Sequence, residues 1–399
     1  SEKWKVKPGK RYYVTRNNTS ILAFKVGTKL DNYSFNIVTS HTDSPTFKVK
    51  ENAEIEVKNK YTQLNTEGYG GMLCATWLDR PLSIAGRVLV SEGNSIVTKL
   101  LNIDRDLLMI PNVAIHMNRA ANDGFKYNLQ VDMLPLLSAG DDRQKDFKQI
   151  IADELGVKKE DILGHDLYLY NRMAPSIWGA NEEFISAGHL DDLQCGFASL
   201  KALLAGYNDE SIDIMACFDN EEVGSGTKQG ADSTLLRDTL TRINSALGKT
   251  EEDYHRALAS SFMLSADNAH AVHPNHPEHT DATNCTYMNE GVVVKSHAGQ
   301  KYTSDGVSMA VVKALASGAD VPLQYFANRS DKAGGSTLGN IAMAQASMNA
   351  VDIGLPQLAM HSSYETAGIK DTYYAITLMK ALFDSHIQET STHSLEIKR

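Results

Sequence analysis

The pattern of hydrophobic and polar positions divides the chain into a β-rich first part and a later part in which strands and helices alternate. Residues 11–48 contain short runs of β-branched and aromatic residues separated by turn residues, and residues 50–137 continue this pattern. Residues 141–157 differ, because their apolar side chains recur at helical spacing and Gly156 closes the run. The strand-like runs after residue 50 are EIEVKNKYTQL, SIAGRVLV, NVAIHM and YNLQVDMLPLL.

From about residue 189 onward, apolar runs of strand length alternate with segments of helical periodicity. We predict helices at 191–206, 233–247, 305–317, 336–347 and 371–385, and strands at 211–218, 261–266, 291–296, 322–327 and 357–360. Such alternation predicts an α/β fold with a mixed central sheet layered by helices. We expect residues 1–49 and 183–399 to form this domain, residues 50–182 to form an inserted β-rich domain, and the C-terminal HSLEIKR to be frayed.

Composition narrows the classes of partner. The 399 residues, 42% of them hydrophobic, suffice for about two domains. A net charge of −10 without a basic run argues against nucleic acid and anionic membrane surfaces as partners, and no apolar stretch reaches membrane length. Four widely spaced cysteines without a C-x-x-C pair predict reduced thiols and therefore a cytoplasmic protein.

Several apolar runs end in residues that can bind a metal ion. The run 212–218 stops at Asp219-Asn220-Glu221-Glu222, followed by glycines, and the run before His41 ends in His41-Thr42-Asp43. Adjacent carboxylates on an extended backbone point in different directions, so one can bind a metal while the other handles protons. A solvated turn is the alternative for the glutamates, and a structural role is the alternative for the histidine.

Three further segments later in the chain supply four candidate residues. Asp191 and Asp192 open a predicted helix, where capping is the competing interpretation, while Asp267 and His361 each follow a strand-like run. Open α/β sheets place their ligand sites at the carboxyl ends of strands, so these residues are expected to lie together. Nitrogen and oxygen donors without cysteine suit Zn²⁺, Mn²⁺ or Co²⁺.

A histidine-rich segment lies directly after Asp267. His270, His273, His276 and His279 recur every three residues, but the prolines at 274 and 277 preclude a regular helix. We interpret this segment as a polar loop near the site rather than as a source of its ligands.

The order of these motifs resembles the M18 family of metallo-aminopeptidases, the aspartyl aminopeptidase group. The matching segments are KPGKRYYVTRN, HTDSP, YGGMLCATWLDRPLSIAGRV, IPNVAIHMNR, FISAGHLDDL, FDNEEVGS, SADNAHAVHPN, GQKYTSDG, GGSTLGN and DIGLPQLAMHSSYETAG. They cover nearly the whole chain in family order. The resemblance implies a zinc-peptidase-like catalytic domain with two divalent ions per subunit, zinc being expected and cobalt or manganese being alternatives.

The resemblance also implies a ligand set for the two ions. His41 and Asp267 hold one ion, Glu222 and His361 hold the other, and Asp191 bridges them. In this arrangement Glu221 is the general base that acts on a metal-activated water, and Asp43 orients the His41 ring. The implied reaction is hydrolysis of the N-terminal residue from peptides that have a free N-terminus.

Other residues are expected to contact the substrate. By resemblance, His116 reaches the active site of a neighbouring subunit; from the residues alone, it is a structural strand histidine or a third metal ligand. Lys295 pairs with an acidic substrate side chain, which would favour N-terminal Asp or Glu, or it is a solvated lysine. Gly335 and Ser336 lie beside the substrate backbone, or they belong to the start of a helix.

The inserted domain would be the dimerisation domain, and family members assemble dimers into dodecamers. The chain departs from the family at His189-Leu190-Asp191-Asp192, where Arg-Leu-Asp-Asn is common, and at Ser363-Tyr364, where Arg is frequent after Met-His-Ser. Neither change removes an expected ligand, but both bear on specificity. The competing hypotheses are a related dinuclear metal peptidase or amidohydrolase with a different substrate, and a non-catalytic shell-forming scaffold.

Overall fold

The computed structural model describes residues 2–140, 146–391 and 394–398, which form two compact units. The first unit contains residues up to Asp43, Ile177–Met360 and the residues from Glu365 onward. The second contains Ser44–Ser176 and His361–Tyr364. The predicted domain limits at 49/50 and 182/183 stay a prediction.

The described residues contain seven α-helices. They are α1 Phe147–Leu155, α2 Leu190–Ala205, α3 Leu235–Ala246, α4 Glu251–Ala259, α5 Gly306–Gly318, α6 Leu338–Gln345 and α7 Asp371–Phe383. Among residues 2–140, 146–391 and 394–398, none of these helices combines the length and the apolar composition that a membrane span requires.

The strands of the described residues are numbered in chain order. They are β1 Arg11–Arg16, β2 Ser20–Val26, β3 Ser34–His41, β4 Thr46–Val57, β5 Tyr61–Tyr69, β6 Leu82–Glu92, β7 Ser95–Asn102, β8 Leu136–Ala139, β9 Ile162–Asn171, β10 Ser176–Trp178, β11 Phe184–Ala187, β12 Ser211–Phe218, β13 Phe262–Ala266, β14 Ala269–His270, β15 Val292–Lys295, β16 Leu323–Phe326, β17 Asn349–Gly354, β18 Pro356–Leu358, β19 Glu365–Gly368, β20 His386–Ser391 and β21 Ser394–Lys398.

The first unit is built on an eight-stranded mixed sheet in the order β1-β2-β12-β3-β13-β17-β15-β16. Its central strands β12, β3, β13 and β17 run parallel, and every residue of β3 and β12 is buried. Strands covered on both faces read as continuous apolar runs, which is why the run ending at Phe218 was recognisable in the sequence.

Helices cover both faces of this sheet. One core joins the sheet to α2, α5 and α7, through residues such as Ala198, Leu315 and Leu378. The other joins it to α3, α4 and α6, through residues such as Leu240 and Leu338. The expected mixed sheet layered by helices is therefore confirmed.

The second unit contains a six-stranded antiparallel sheet in the order β7-β6-β9-β4-β5-β8. Its core includes Phe47 and Trp77, whose rings meet edge to face, and Ile151 of α1. Gly156 ends α1 in the left-handed conformation, φ 63°, as a helix C-terminus favours. Residues 141–145 of the predicted helical segment lie outside the described residues.

Two strand predictions in this unit were wrong. Residues 112–117 form turns instead of a strand, with the amides of Met117 and Asn118 donating to the Ala114 carbonyl. The apolar side chains of Val113 and Ile115 are about half exposed, at 54% and 48%, so no packing partner selects an extended backbone. Residues 127–137 are irregular up to β8 for most of their length.

Sequence patterns also missed elements in the first unit. The helix α4 was not predicted because it is mostly polar, yet Thr250 and Asp253 form a capping box at its start. The central strand β17 was also missed.

The expectation of a frayed C-terminus was wrong for residues 394–398, which pair with β20 in an antiparallel hairpin. His393 and Arg399 lie outside the described residues.

A buried ion pair inside the large sheet gives a stability prediction. Lys25 of β2 lies 3.5 Å from Asp213 of β12, and both side chains are almost completely buried. Burial raises the pKa of Asp213 to about 7, against the opposing effects of Ser211 and Lys25. We expect Asp213→Ala to lower the free energy of unfolding, measured by urea titration, by about 3–5 kcal/mol, since the charge of Lys25 would be left buried with only main-chain carbonyl oxygens as partners.

The control for this prediction removes both charges. The double variant Lys25→Met/Asp213→Leu leaves no unpaired buried charge, so its loss of stability should be clearly smaller than that of Asp213→Ala. Equal losses in the two variants would show that packing, and not charge pairing, controls stability at this position.

Candidate metal centre

The predicted ligands come together because three parallel strands end at the same edge of the sheet. The strands β12, β3 and β13 are neighbours, and Phe218 is paired with His41 at the carboxyl ends of the first two. Glu221 and Glu222 follow β12 in a short 3-10 turn, and Asp267 follows β13 directly. These positions are where open α/β sheets bind ligands.

Four buried side chains form the centre of the site. Ligand atoms of His41, Asp191, Asp192 and Asp267 lie within 4.8 Å of one another, and those of His41, Glu221 and Glu222 form a second group within the same limit. The prediction that these residues approach one another at the strand ends is therefore correct for this set. Their functional roles stay predictions.

The start of α2 contains two adjacent aspartates whose side chains are both buried. Asp191 and Asp192 have non-helical backbone angles, and the peptide bond between them is cis. His189 occupies the N-cap position in a left-handed conformation and makes no side-chain cap hydrogen bond. In the described residues, neither aspartate therefore occupies the N-cap position of α2. Both carboxylates belong to the buried cluster.

The His41 ring is held between two carboxylate residues. Its Nδ1 lies 3.0 Å from the carbonyl oxygen of Asp43 and 3.5 Å from Asp43 Oδ1, while its Nε2 lies 3.5 Å from Asp191 Oδ1. The main-chain amide of His41 also donates to Asp192 Oδ2 at 3.1 Å. With the Nδ1 proton donated to Asp43, the tautomer leaves Nε2 as the ring atom that can accept a metal.

Asp43 also positions the glutamate turn. Its two carboxylate oxygens accept the amides of Glu221 at 3.0 Å and Glu222 at 3.1 Å. Asn220 and Gly224 flank the turn in left-handed conformations, with φ 63° and 94°. Asp43 thus anchors this turn to the segment that follows β3. The turn is therefore not the unattached, solvated turn that was the alternative interpretation.

The electrostatics of the cluster favour a cation. Burial, reinforced by neighbouring carboxylates, raises the pKa of Asp267 and raises that of Asp192 well above its usual range. Burial alone would lower the pKa of His41, but hydrogen bonds to Asp191 and Asp43 outweigh it and raise this pKa. Several buried carboxylates around one imidazole are costly without a compensating charge, and a divalent ion supplies that charge.

The Glu221 carboxyl group has the environment of a general base. Burial is the main cause that raises its pKa to about 7, and the negative charge of Asp267 adds to this effect, whereas His41 opposes it. A carboxylate whose pKa lies near neutrality can both accept and return a proton. The donor set and this neighbouring carboxyl group together fit a divalent metal ion.

Sequence reasoning did not single out the residues that hold the cluster from behind. Glu365 Oε2 accepts the amide of Asp191 at 2.9 Å. The amide nitrogen of Asn268 donates to Gln194 Oε1 and Gln357 Oε1, at 3.1 and 2.9 Å. Their only signal in the sequence is proximity to Asp191, Asp267 or His361, because their role depends on contacts between distant segments.

Lys295 lies at the end of β15 and is buried, with 3% of its surface exposed. Its ammonium donates to the Asn268 carbonyl at 2.9 Å and lies 3.6 Å from Asp267 Oδ1. Among the described residues, Lys295 is thus not a solvated lysine. Its contact with a substrate side chain stays a prediction.

Four predicted residues remain: His361, His116, Gly335 and Ser336. His361 belongs to the second unit, where its Nδ1 is 2.9 Å from the Gly71 carbonyl oxygen, a contact that leaves Nε2 as the ring nitrogen available to a metal. His116 is exposed in a turn of the second unit. Gly335 and Ser336 are exposed in the loop before α6, where Thr337 takes the N-cap position without a side-chain cap bond.

A buried histidine–carboxylate cluster at the carboxyl edge of a helix-layered sheet is typical of α/β metalloenzymes. The model of one family, described as aminopeptidase I zinc metalloprotease (M18), matches residues 1–383. A probable M18 family aminopeptidase 2 of Clostridium novyi is 47% identical over 389 residues, which cover 96% of this chain and 90% of that protein. The chain therefore belongs to the M18 family, and it is a metallo-exopeptidase.

Further relatives agree with this assignment. A probable M18 family aminopeptidase 2 of Clostridium acetobutylicum is 48% identical, over 93% of this chain and 87% of that protein. Among solved structures, a chain of the Ape4 and Nbr1 complex gives a TM-score of 0.92 at 35% identity, covering 95% of this chain and 77% of that one. The S. cerevisiae mApe1 dodecamer gives 0.79 at 28%, with coverages of 94% and 85%.

Proposed function

We propose that this protein is a two-metal aminopeptidase that removes the N-terminal residue from peptides. The observation that carries the proposal is the buried group of His41, Asp191, Asp192 and Asp267, together with the two glutamates beside His41. The family is described as zinc metalloproteases, so zinc is the expected metal, with cobalt or manganese as alternatives.

The proposed ligands follow the order of the family motifs. His41 and Asp267 would hold one ion, Glu222 and His361 the other, and Asp191 would bridge both. The buried Asp267 carboxyl group, whose pKa is raised by burial, and two imidazoles whose Nδ1 faces a carbonyl oxygen support this set. When bound, the ions supply positive charge that polarises a carbonyl group and lowers the pKa of water.

The residues around the ions carry the proton transfers. Glu221 would take a proton from the attacking water and return it to the nitrogen of the leaving amine, a role for which its carboxyl group beside His41 is placed. Asp43 keeps Glu221 in position through the Glu221 amide and keeps the His41 ring oriented through Nδ1. Each group therefore acts from a fixed place, which lowers the cost of reaching the reactive geometry.

Several residues would complete the substrate site. We infer that Gly335 and Ser336, exposed before α6, lie along the substrate backbone. His116, exposed in its turn, would contact the substrate bound by a neighbouring copy. From the family resemblance, we infer that the ammonium of Lys295, besides its contact with Asp267, would reach an acidic substrate side chain and so favour N-terminal Asp or Glu.

Assembly and location follow from the same reasoning. One solved relative is a dodecamer of mApe1, so we infer that this chain forms dimers that assemble into a dodecamer through the inserted domain. The absence of disulfides among the four described cysteines supports a cytoplasmic location. The net charge of −10 argues against nucleic acids and anionic membrane surfaces as partners.

Aminoacyl-nitroanilides of Asp, Glu, Leu and Lys, assayed after metal loading, test the proposed function. We expect hydrolysis of the free amines, fastest for Asp and Glu, and loss of hydrolysis when the same substrates are N-acetylated or the metal is chelated. Cleavage of the acetylated series at equal rates would instead indicate a related amidohydrolase. No cleavage of any substrate by the metal-loaded protein would indicate a scaffold.

A further inference from the structure

The histidine-rich loop between β14 and β15 holds three exposed side chains in a compact group. Ligand atoms of His276, Glu278 and His279 lie within 4.8 Å of one another. His276 Nδ1 is 3.0 Å from Glu278 Oε1, and the rings of His276 and His279 stack with centroids 5.4 Å apart. None of these residues belongs to the cluster at the strand ends.

We propose that His276, Glu278 and His279 form an additional binding site for one divalent transition-metal ion, which nothing in the proposed reaction requires. Two imidazole nitrogens and one carboxylate oxygen are the donors that Zn²⁺, Co²⁺, Ni²⁺ and Cu²⁺ share, whereas Mg²⁺ and Ca²⁺ prefer oxygen donors alone. The site therefore selects a transition metal by the chemistry of its donors.

The backbone of this loop is already folded into the shape that presents the three side chains. The amide of His276 donates to the His273 carbonyl at 3.0 Å, and the amide of His279 donates to the His276 carbonyl at 3.2 Å. Pro277 begins the 3-10 turn, and Arg329 donates to the Glu278 carbonyl. A ligand group that is held before binding loses less conformational entropy when the ion arrives.

Another exposed histidine–glutamate pair shows what distinguishes the loop. On α4, His255 Nε2 lies 3.8 Å from Glu251 Oε1 with both side chains exposed, but no third His, Cys, Asp or Glu of the described residues completes a group there. Such pairs of side chains, one helical turn apart, are common on helix surfaces. The third donor is what makes the loop a candidate site, and His255 therefore provides a matched control.

The loop also borders a cavity, which gives the ion a structural consequence. His279 lines a cavity of about 260 Å³ together with His270, His273 and Gln357. Binding an ion at His279 would fix one wall of this cavity. We therefore expect the amides of residues 271–280 to become more protected from hydrogen exchange when the ion is bound.

Zn²⁺ titration of the full chain, after its active site has been loaded with metal, tests this proposal. With a competing chromogenic chelator as the readout, the native chain should bind one more Zn²⁺ than His276→Ala/His279→Ala. Glu278→Gln should weaken the binding of that extra ion by at least about tenfold. Even the loss of a residue that only hydrogen-bonds a metal ligand costs at least about that factor in metal affinity. His255→Ala should bind as the native chain does.

Aminopeptidase activity in all these variants shows that each has folded, since none of the substituted residues lies in the proposed reaction site. The proposal is overturned by an equal Zn²⁺ stoichiometry and affinity in the native chain and the double variant. It is also overturned by a similar loss in His255→Ala, which would indicate unspecific uptake by surface histidines. Unchanged exchange of residues 271–280 on addition of Zn²⁺ would contradict binding at this loop.

Discussion

Glu221→Gln is expected to abolish nearly all turnover while leaving the metal content unchanged. The substitution keeps the size of the side chain and the amide contact with Asp43, but an amide cannot accept and return a proton at neutral pH. General acid–base catalysis contributes about 10²–10⁴-fold, so kcat should fall by about that factor while KM changes little. Steady-state kinetics and metal analysis of the same preparation check both parts.

Asp219→Asn is the matched control for this variant, because Asp219 is another carboxylate of the same turn with a pKa raised by burial. It is not a proposed ligand or base, so we expect turnover of Asp219→Asn to stay within a few-fold of the native value. Native-like turnover by Glu221→Gln would sink the assignment of Glu221. Equal losses in both variants would indicate a disturbed turn in place of a lost base.

The second large effect is expected from Asp191→Asn. If Asp191 bridges two ions, replacing its charged carboxylate with a neutral amide weakens the binding of both, so metal analysis should show a loss from both sites and activity should disappear. Asp192→Asn provides a close comparison, since the two side chains are adjacent and both buried. Asn at position 192 retains an oxygen that can accept the His41 amide, so most of the metal should remain bound.

The outcome of this pair distinguishes three arrangements. Metal loss in Asp192→Asn alone would identify Asp192 as the ligand. A loss of a single ion in Asp191→Asn, with the other ion retained at full affinity, would argue against a bridge. A native-like metal content in both variants would exclude the start of α2 as a source of ligands. Circular dichroism of each variant shows whether the fold is retained.

Some parts of the fold could be predicted from local patterns. The strand 211–218 was predicted with its observed bounds, because both of its faces are buried and the resulting apolar run ends abruptly in charged residues. By contrast, residues 112–117 carry an apolar pattern but form turns, since Val113 and Ile115 have no buried face to occupy. A pattern specifies a strand only where tertiary packing uses it.

The candidate site shows the same division. The sequence alone determined which chemistry was available: His41, Asp191, Glu221, Glu222 and Asp267 each follow an apolar run or open a helix, and the family motifs gave them roles. Strand ends are visible in a sequence because burial stops there. The side chain that stands at each strand end can be read directly from the sequence.

Only the tertiary structure decided which of these groups meet and what holds them. The parallel order β12-β3-β13 brings segments more than 170 residues apart to one edge of the sheet, so that Asp43 receives the amides of Glu221 and Glu222. It also buries Lys295 beside Asp267 and gathers His276, Glu278 and His279 on a turned loop. These contacts depend on long-range packing or on backbone turns, and the three-residue spacing of the histidines did not by itself show which of them meet.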